Sequence, residues 1–250
     1  MSEQTSSNGS PTVVLVHGAF ADASGWNGVI ERLQSQGVKV MAPANPLRGI
    51  ASDSAYIASV LGQIAGPVVA VGHSYGGAVI TNAATGAKNV VALVYVSAFA
   101  TEEGETLNAV EAGSKDSVLG TALVPRQYPT EDGGSATEFY IDPAKVREAF
   151  AGDLSDQEVA LIGATQRPVA ESGFSEPGGP PAWKDRPSWA VVASGDKAAG
   201  ADVVRSMAER AGATITELEG SHVIMVSQPE AVTNVIMEAV RAVAQPPVEA

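Results

Sequence analysis

Ser74, Asp196 and His222 each follow an apolar run, in Gly72-His73-Ser74-Tyr75-Gly76, Ser194-Gly195-Asp196 and Gly220-Ser221-His222. A serine hydroxyl is a weak nucleophile at neutral pH until a neighbouring base takes its proton. An imidazole base in turn needs a carboxylate to fix its tautomer and steady the imidazolium. The chemistry these three residue types offer together is nucleophilic attack on a carbonyl. Histidine occurs only at positions 17, 73 and 222 and cysteine is absent, so any nucleophile is an oxygen or a nitrogen, and a base active near neutral pH has few candidates.

The serine motif is weak alone, because 22 serines and 26 glycines make a chance G-x-S-x-G unsurprising. Its setting adds weight: an apolar run precedes it, an Ala/Gly-rich helical pattern follows, and Gly72 and Gly76 leave room for a sharp turn that lifts the hydroxyl clear. His222 and Asp196 follow the last and penultimate expected strands, and strand carboxyl ends are where an open α/β sheet collects its ligands. The plain alternatives are a solvated loop histidine and an Asx-turn aspartate. Among competing acids, Asp185 and Asp202 stand next in line after Asp196, and Glu219 would lie on the last strand itself. An oxyanion intermediate needs two backbone N–H donors. Tyr75, opening a helix directly after Ser74, offers one; in His17-Gly18-Ala19-Phe20, Ala19 is the first choice for the other and Phe20 the second. Phe20 and Val223 are candidate substrate-pocket residues. His17 and His73, each beside a tight glycine turn, are expected to tie loops together by hydrogen bonds rather than to react. The three histidines lack metal-ligand spacing, so neither metal nor cofactor is expected.

The elements that must position these groups read as α/β. Strands are expected at Thr12 to His17, Val38 to Ala42, Val68 to Gly72, Val90 to Ser97, Trp189 to Ser194 and Thr214 to Glu219. Several are continuous Val/Leu/Ala runs, as in parallel strands buried on both faces. Between them, Trp26, Val29, Ile30 and Leu33 mark one helical face, Tyr56, Ile57, Val60, Leu61 and Ile64 another, and Val203, Val204, Met207, Ala208 and Ala211 a third. Gly37, Gly66 and Gly212 are the stops. A capping box at Ser227 to Glu230 is expected to open the last helix. The rhythm breaks from about Thr101 to Pro187, which reads as a helical lid inserted between core strands 11–100 and 188–245, with an N-cap at Asp142 and a capping box at Ser155 to Glu158. Six of the thirteen aromatics sit there: Tyr128, Phe139, Tyr140, Phe150, Phe174 and Trp183. They line an apolar pocket or form the lid's own small core. Met1 to Ser10 and Gln245 to Ala250 read as frayed tails.

The 250 residues suit one large α/β domain with an insertion. A net charge of −13, from 15 Lys and Arg against 28 acids, disfavours nucleic acid and anionic membrane as partners. No apolar stretch approaches the roughly 20 residues of a membrane span, and the polar start has no basic or apolar region of a leader, so a soluble, unexported, cytoplasmic protein is expected.

In Val14-Leu15-Val16-His17-Gly18, the Ser74 motif, Ser194-Gly195-Asp196 and Gly220-Ser221-His222, the chain resembles the α/β-hydrolase superfamily over about residues 11 to 245. The order Ser74, Asp196, His222 is the one that fold uses. The resemblance implies an α/β-hydrolase fold, a mostly parallel six-stranded sheet with helices on both faces. It also implies a Ser74–His222–Asp196 triad with Ala19 and Tyr75 N–H as the oxyanion hole. The short form resembles the branch holding plant methylesterases, hydroxynitrile lyases and bacterial small-ester hydrolases. Lyases of that branch carry threonine and lysine where this chain has Gly18 and Val223, so the expectation is a cofactor-free hydrolase of small, uncharged, fairly apolar esters or lactones. A non-hydrolytic lyase, cofactor-free oxygenase or ligand receptor on the same pocket is the alternative. Relatives often place further residues between the glycine and the acid, whereas here Gly195 directly precedes Asp196.

Overall fold

The computed structural model describes residues 9–244; most of the two expected tails lies outside the described residues. The chain runs β1 (Thr12–Val16), α1 (Asn27–Ser35), β2 (Lys39–Met41), α2 (Ile50–Gly62), β3 (Val68–His73), α3 (Tyr75–Gly86) and β4 (Val90–Val96) before the rhythm breaks. The inserted part holds α4 (Leu107–Glu111), β5 (Leu123–Pro129), β6 (Ser135–Ile141), α5 (Val146–Ala149), α6 (Asp156–Thr165), β7 (Val169–Ala170) and α7 (Glu171–Ser175). The core then resumes with β8 (Ser188–Ala193), α8 (Ala201–Arg210), β9 (Thr214–Leu218), α9 (Ile224–Ser227) and α10 (Pro229–Ala244).

Six strands form one sheet in the order β2-β1-β3-β4-β8-β9, every pair parallel. Val13–Val16, Val68–Val71, Leu93–Val96 and Val191–Ala193 are all buried. That burial is why apolar runs without alternation become central strands: both faces are covered. The covering helices pair as α1 with α10 and α2 with α3. The register joins Val16 to Gly72, His73 to Val96, Val96 to Val191 and Ala193 to Leu218, so the carboxyl ends of β1, β3, β4, β8 and β9 share one edge. The loops carrying His17 to Phe20, Ser74, Ser97, Asp196 and His222 all emerge there.

Three expectations need correction. The insertion is not purely helical: β5, β6 and β7 form an antiparallel sheet. Its hairpin turns at Glu131-Asp132-Gly133, where Asp132 Oδ1 accepts from Gly134 N–H at 3.1 Å and Gly133 has φ +81. β5 is half-exposed and carries Pro125 and Arg126, so the strand alternation is blurred. Second, Ser227 ends α9 rather than capping α10, which starts at Pro229. Third, Tyr56 is 47% exposed while Ile57 and Leu61 are buried; the buried face of α2 runs instead through Asp53 and Ser54. The Ser155 capping box forms with both of its hydrogen bonds, and Asp142 caps Ala144 N–H.

Candidate active site

Ser74 sits on the sharp turn between β3 and α3 with φ 55 and ψ −126, a conformation that costs a non-glycine residue energy and persists only where its surroundings impose it. Those surroundings are backbone. A Cβ on Gly72 would lie 2.5 Å from Gly76 O, and one on Gly76 would run into Val16 O of the neighbouring strand. Ser74 N–H donates to Val96 O at 3.3 Å, and Ser74 O accepts from Gly77 and Phe99 N–H at 2.9 and 3.2 Å.

Asp196 and His222 meet. His222 Nδ1 donates to Asp196 Oδ2 at 2.8 Å, and both side chains are buried. The two loops are brought together by the β8–β9 pairing, extended by Ser194 N–H to Leu218 O and Gly195 N–H to Gly220 O, both at 2.9 Å. Asp196 Oδ1 accepts from Ala198 and Ala199 N–H at 2.9 and 3.0 Å. The Asx-turn reading and the histidine-orienting reading are thus both realised, one on each oxygen. Asp202 is engaged elsewhere, accepting from Ser114 Oγ and Lys115 N–H. With its proton on Nδ1, His222 keeps a lone pair on Nε2, the form required of a base.

The other two histidines are ties, and burial pushes both imidazoles below their ordinary pKa. His17 Nε2 accepts from Asn45 N–H at 2.9 Å, and Asn45 Nδ2 donates back to His17 O at 3.0 Å. His73, fully buried next to Ser74, donates from Nε2 to the carbonyl of His222 at 3.0 Å, and its ring lies 4.7 Å from that of His222. The histidine loop is therefore held against the strand end that carries Ser74.

Ala19 and Tyr75 are both buried, and Tyr75 opens α3 directly after Ser74. Phe20, the alternative to Ala19, has φ 60, and its N–H already donates to Arg167 O of the insertion at 3.0 Å. The phenol of Tyr75 donates to Asp53 Oδ2 at 2.8 Å. Burial, followed by the Asp53 charge, pushes that phenol above its ordinary range. Phe20 and Val223 line an apolar recess of about 50 Å³ together with Phe150, Ile162 and Met225.

Phe150 and Asp153 were not legible as neighbours of the His222 loop. Phe150, one of the aromatics of the insertion, packs its ring 5.1 Å from His222 and edge-on to Phe20 at 6.2 Å; Phe174 and Phe139 continue the cluster. Asp153 accepts from Ser221 Oγ, the residue before His222. Burial would raise its carboxyl, but hydrogen bonds from Ser221 and Ser227 outweigh this and hold it below the usual carboxylate range. Tyr128 and Tyr140 lie outward beneath Arg48 and Arg126, and Trp183 Nε1 donates to Thr101 O, joining the two ends of the insertion. Among the described residues, no three acidic or histidine side chains converge to hold a metal ion, and no helix is long and apolar enough to cross a membrane.

Comparison with known proteins gives the setting. The alpha/beta hydrolase family matches residues 13–235. A carbendazim-hydrolysing esterase of Nocardioides sp. (strain SG-4G) is 34% identical over 131 residues, 47% of this chain and 49% of that protein. The match therefore spans about half the length of that relative. Polyneuridine aldehyde esterase superposes with a TM-score of 0.77 at 20% identity, covering 95% of this chain and 100% of that one. A pyrethroid hydrolase from Sphingobium faniae JZ-2 does so with a TM-score of 0.75 at 20% identity, covering 93% and 98%. At such identities these structures establish a shared fold.

Proposed function

The chain belongs to the alpha/beta hydrolase family, and from that premise we propose that it is a cofactor-free serine esterase acting on small, uncharged, fairly apolar carboxylic esters or lactones. The observation that carries this reading is the buried His222–Asp196 pair at 2.8 Å, tied through His73 to the strand end that bears Ser74. Ser74 Oγ attacks the carbonyl carbon while His222 Nε2 takes its proton. The negative charge that forms on the carbonyl oxygen is met by the N–H groups of Ala19 and Tyr75, the latter at the amino end of α3, whose dipole favours an anion. His222 then delivers the proton to the leaving alkoxide, the acyl group stays on Ser74, and a water deprotonated by His222 releases it as the acid. Asp196 keeps the proton of His222 on Nδ1 throughout and steadies the imidazolium.

The apolar recess beside Phe20 and Val223 suits a hydrocarbon part of the substrate. The ester-cleaving activities named for the Nocardioides protein and for polyneuridine aldehyde esterase agree with the reading. The threonine of the lyase branch has no room here, since a Cβ at Gly18 would lie 2.6 Å from Ser74 Cβ and 2.8 Å from His73 O.

The test is Ser74→Ala with p-nitrophenyl butyrate. Turnover should fall by on the order of 10⁴-fold or more with the melting temperature retained, and a fluorophosphonate should label the wild-type peptide that contains Ser74. Retained turnover in the variant, or an unlabelled Ser74, would sink the assignment.

A further inference from the structure

Asp53 takes no part in the chemistry above, yet it is fully buried in the first turn of α2. Its Oδ2 accepts from the phenol of Tyr75 at 2.8 Å, and both of its oxygens accept from Arg48 N–H at 3.1 Å. Burial pushes the carboxyl above the usual carboxylate range, against the hydrogen bonds that favour the anion. An acid is a costly group to bury, and filling the space would need none. The bend that presents Arg48 N–H is itself strained: Leu47 has φ 61, and Gly49, with φ 151, gives Asp53 N–H its acceptor at 2.9 Å.

What Asp53 holds is the neighbour of Ser74. Tyr75 is bonded directly to that serine, opens α3, and reaches with its buried ring to the start of α2. The ring is also met by the insertion, where a Cβ on Gly173 of α7 would lie 3.1 Å from Tyr75 Cε2. Helices α2 and α3 pack together, and Ser54 Oγ adds a bond to Val79 O at 3.3 Å. The phenol and the N–H of Tyr75 are opposite ends of one stiff residue. An anchor on the phenol is therefore an anchor on the first turn of α3.

We propose that Asp53 is a positioning residue for the reaction: by holding the Tyr75 phenol it fixes the Tyr75 N–H that meets the oxyanion. It touches neither substrate nor Ser74 and acts through Tyr75 alone. A backbone donor is useful only where it is already aimed at the place the charged oxygen will occupy, so a small loss of aim weakens the charged intermediate more than the bound ester. This rests on the esterase reading of Ser74 and on Tyr75 N–H as an oxyanion donor.

The experiment is Tyr75→Phe, which removes the phenol oxygen and keeps the N–H, read with p-nitrophenyl butyrate and with trifluoromethyl propyl ketone as inhibitor. The ketone carbon bonds to Ser74 Oγ while His222 takes the proton, which leaves the negative charge on the ketone oxygen as in the reaction. In the variant kcat should fall by about tenfold, less than the loss on the order of 10²–10³-fold that follows removal of a whole donor. KM should stay within about twofold, and the ketone's inhibition constant should rise by about the same factor as kcat falls. Tyr95→Phe is the matched control. Tyr95 is buried and its phenol pairs with Thr81 Oγ1 at 2.9 Å, further along α3, so an equivalent bond is lost while both readings should stay at wild-type values. Wild-type kcat in Tyr75→Phe, a fall in kcat without a matching rise in the ketone's constant, or equal losses in Tyr95→Phe would overturn the positioning role. Should Tyr75→Phe fail to fold, Asp53→Asn decides by the same two readings. It keeps the shape but not the charge that strengthens the bond to the phenol, so kcat and ketone affinity should fall together by about threefold; wild-type values would overturn the role. Wild-type turnover of p-nitrophenyl butyrate reads the parent assignment separately. Its absence removes both readings, whereas its presence with an unchanged Tyr75→Phe removes the positioning role alone.

Discussion

The carboxyl-end rim of the six-stranded sheet and the insertion that covers it are held by different kinds of contact. At the rim, backbone meets backbone: the Ser74 turn is boxed in by Gly76 O, Val16 O and His73 O at distances that exclude even a methyl group at positions 72, 76 and 18. The insertion carries a half-exposed hairpin, buries Leu107, Ile141, Val146, Phe150 and Phe174 in the core, and adds hydrogen-bonded and ionic latches to that packing. Asp153 holds Ser221, Arg48 pairs with Glu138 at 2.7 Å, and Glu105 pairs with Arg210 at 2.6 Å. Ser172 Oγ donates to Arg48 O and Ala170 N–H to Leu47 O, at 2.7 and 2.9 Å. A close-packed rim cannot adjust, so it holds the Ser74 turn in one conformation. Latches can be altered one at a time, so on the proposed esterase reading the insertion is the part whose variants should change substrate preference before they change the chemistry.

That contrast breaks most visibly at Gly76. Gly76→Ala puts a methyl group against Val16 O and should cost about 1–3 kcal/mol of stability and on the order of 10²-fold in kcat/KM through displacement of Ser74. Wild-type melting and turnover in that variant would mean that the rim yields as easily as the cover.

Asp153→Ala tests the junction of the two regions. It frees Ser221 beside His222 and should lower kcat/KM several-fold. The melting temperature at pH 7 should fall by about 2–4 °C, since the carboxylate is partly exposed and its hydrogen bonds are worth roughly 1 kcal/mol after solvent screening. The folded-state pKa of Asp153 lies below its ordinary 3.8, so its contribution is present above that value and is lost as pH falls through the folded value. Melting curves of both proteins at pH 7 and pH 3 should therefore converge towards the acid side; a gap that widens would contradict the sign.

The smallest effect is expected at Arg48, whose side chain is 42% exposed. Arg48→Ala removes the pair with Glu138 and the stacking over Tyr128 at 4.4 Å. It should lower the melting temperature by no more than about 4 °C, with kcat/KM within twofold of wild type. A larger loss of turnover would show the insertion to be a rigid part of the site.

The same contrast explains what was legible in the chain. All six core strands were: the four central ones because double-sided burial leaves uninterrupted Val, Leu and Ala runs, and the half-exposed edge strands β2 and β9 because apolar residues alternate with polar ones. The hairpin was not: with one face open, β5 carries proline, arginine and glutamine among its apolar residues, and only Asp132-Gly133 marked the turn. The Ser155 capping box formed because its helix has a free start. The Ser227 box did not, because Ser227 is consumed at the end of α9. Phe150 was visible as an aromatic but not as a neighbour of His222, since 72 positions separate them and no local pattern encodes that contact.

Residue types and order alone determined the α/β architecture, the serine turn with its obligatory glycines, and the strand ends at which a histidine and an acid had to emerge, because these follow from burial and from backbone sterics within a few residues. Only the tertiary structure decided that Asp196 rather than Asp185 or Asp202 meets His222 and that His73 ties the histidine loop to the serine strand. Those are contacts between distant segments, set by strand register and by how the insertion docks.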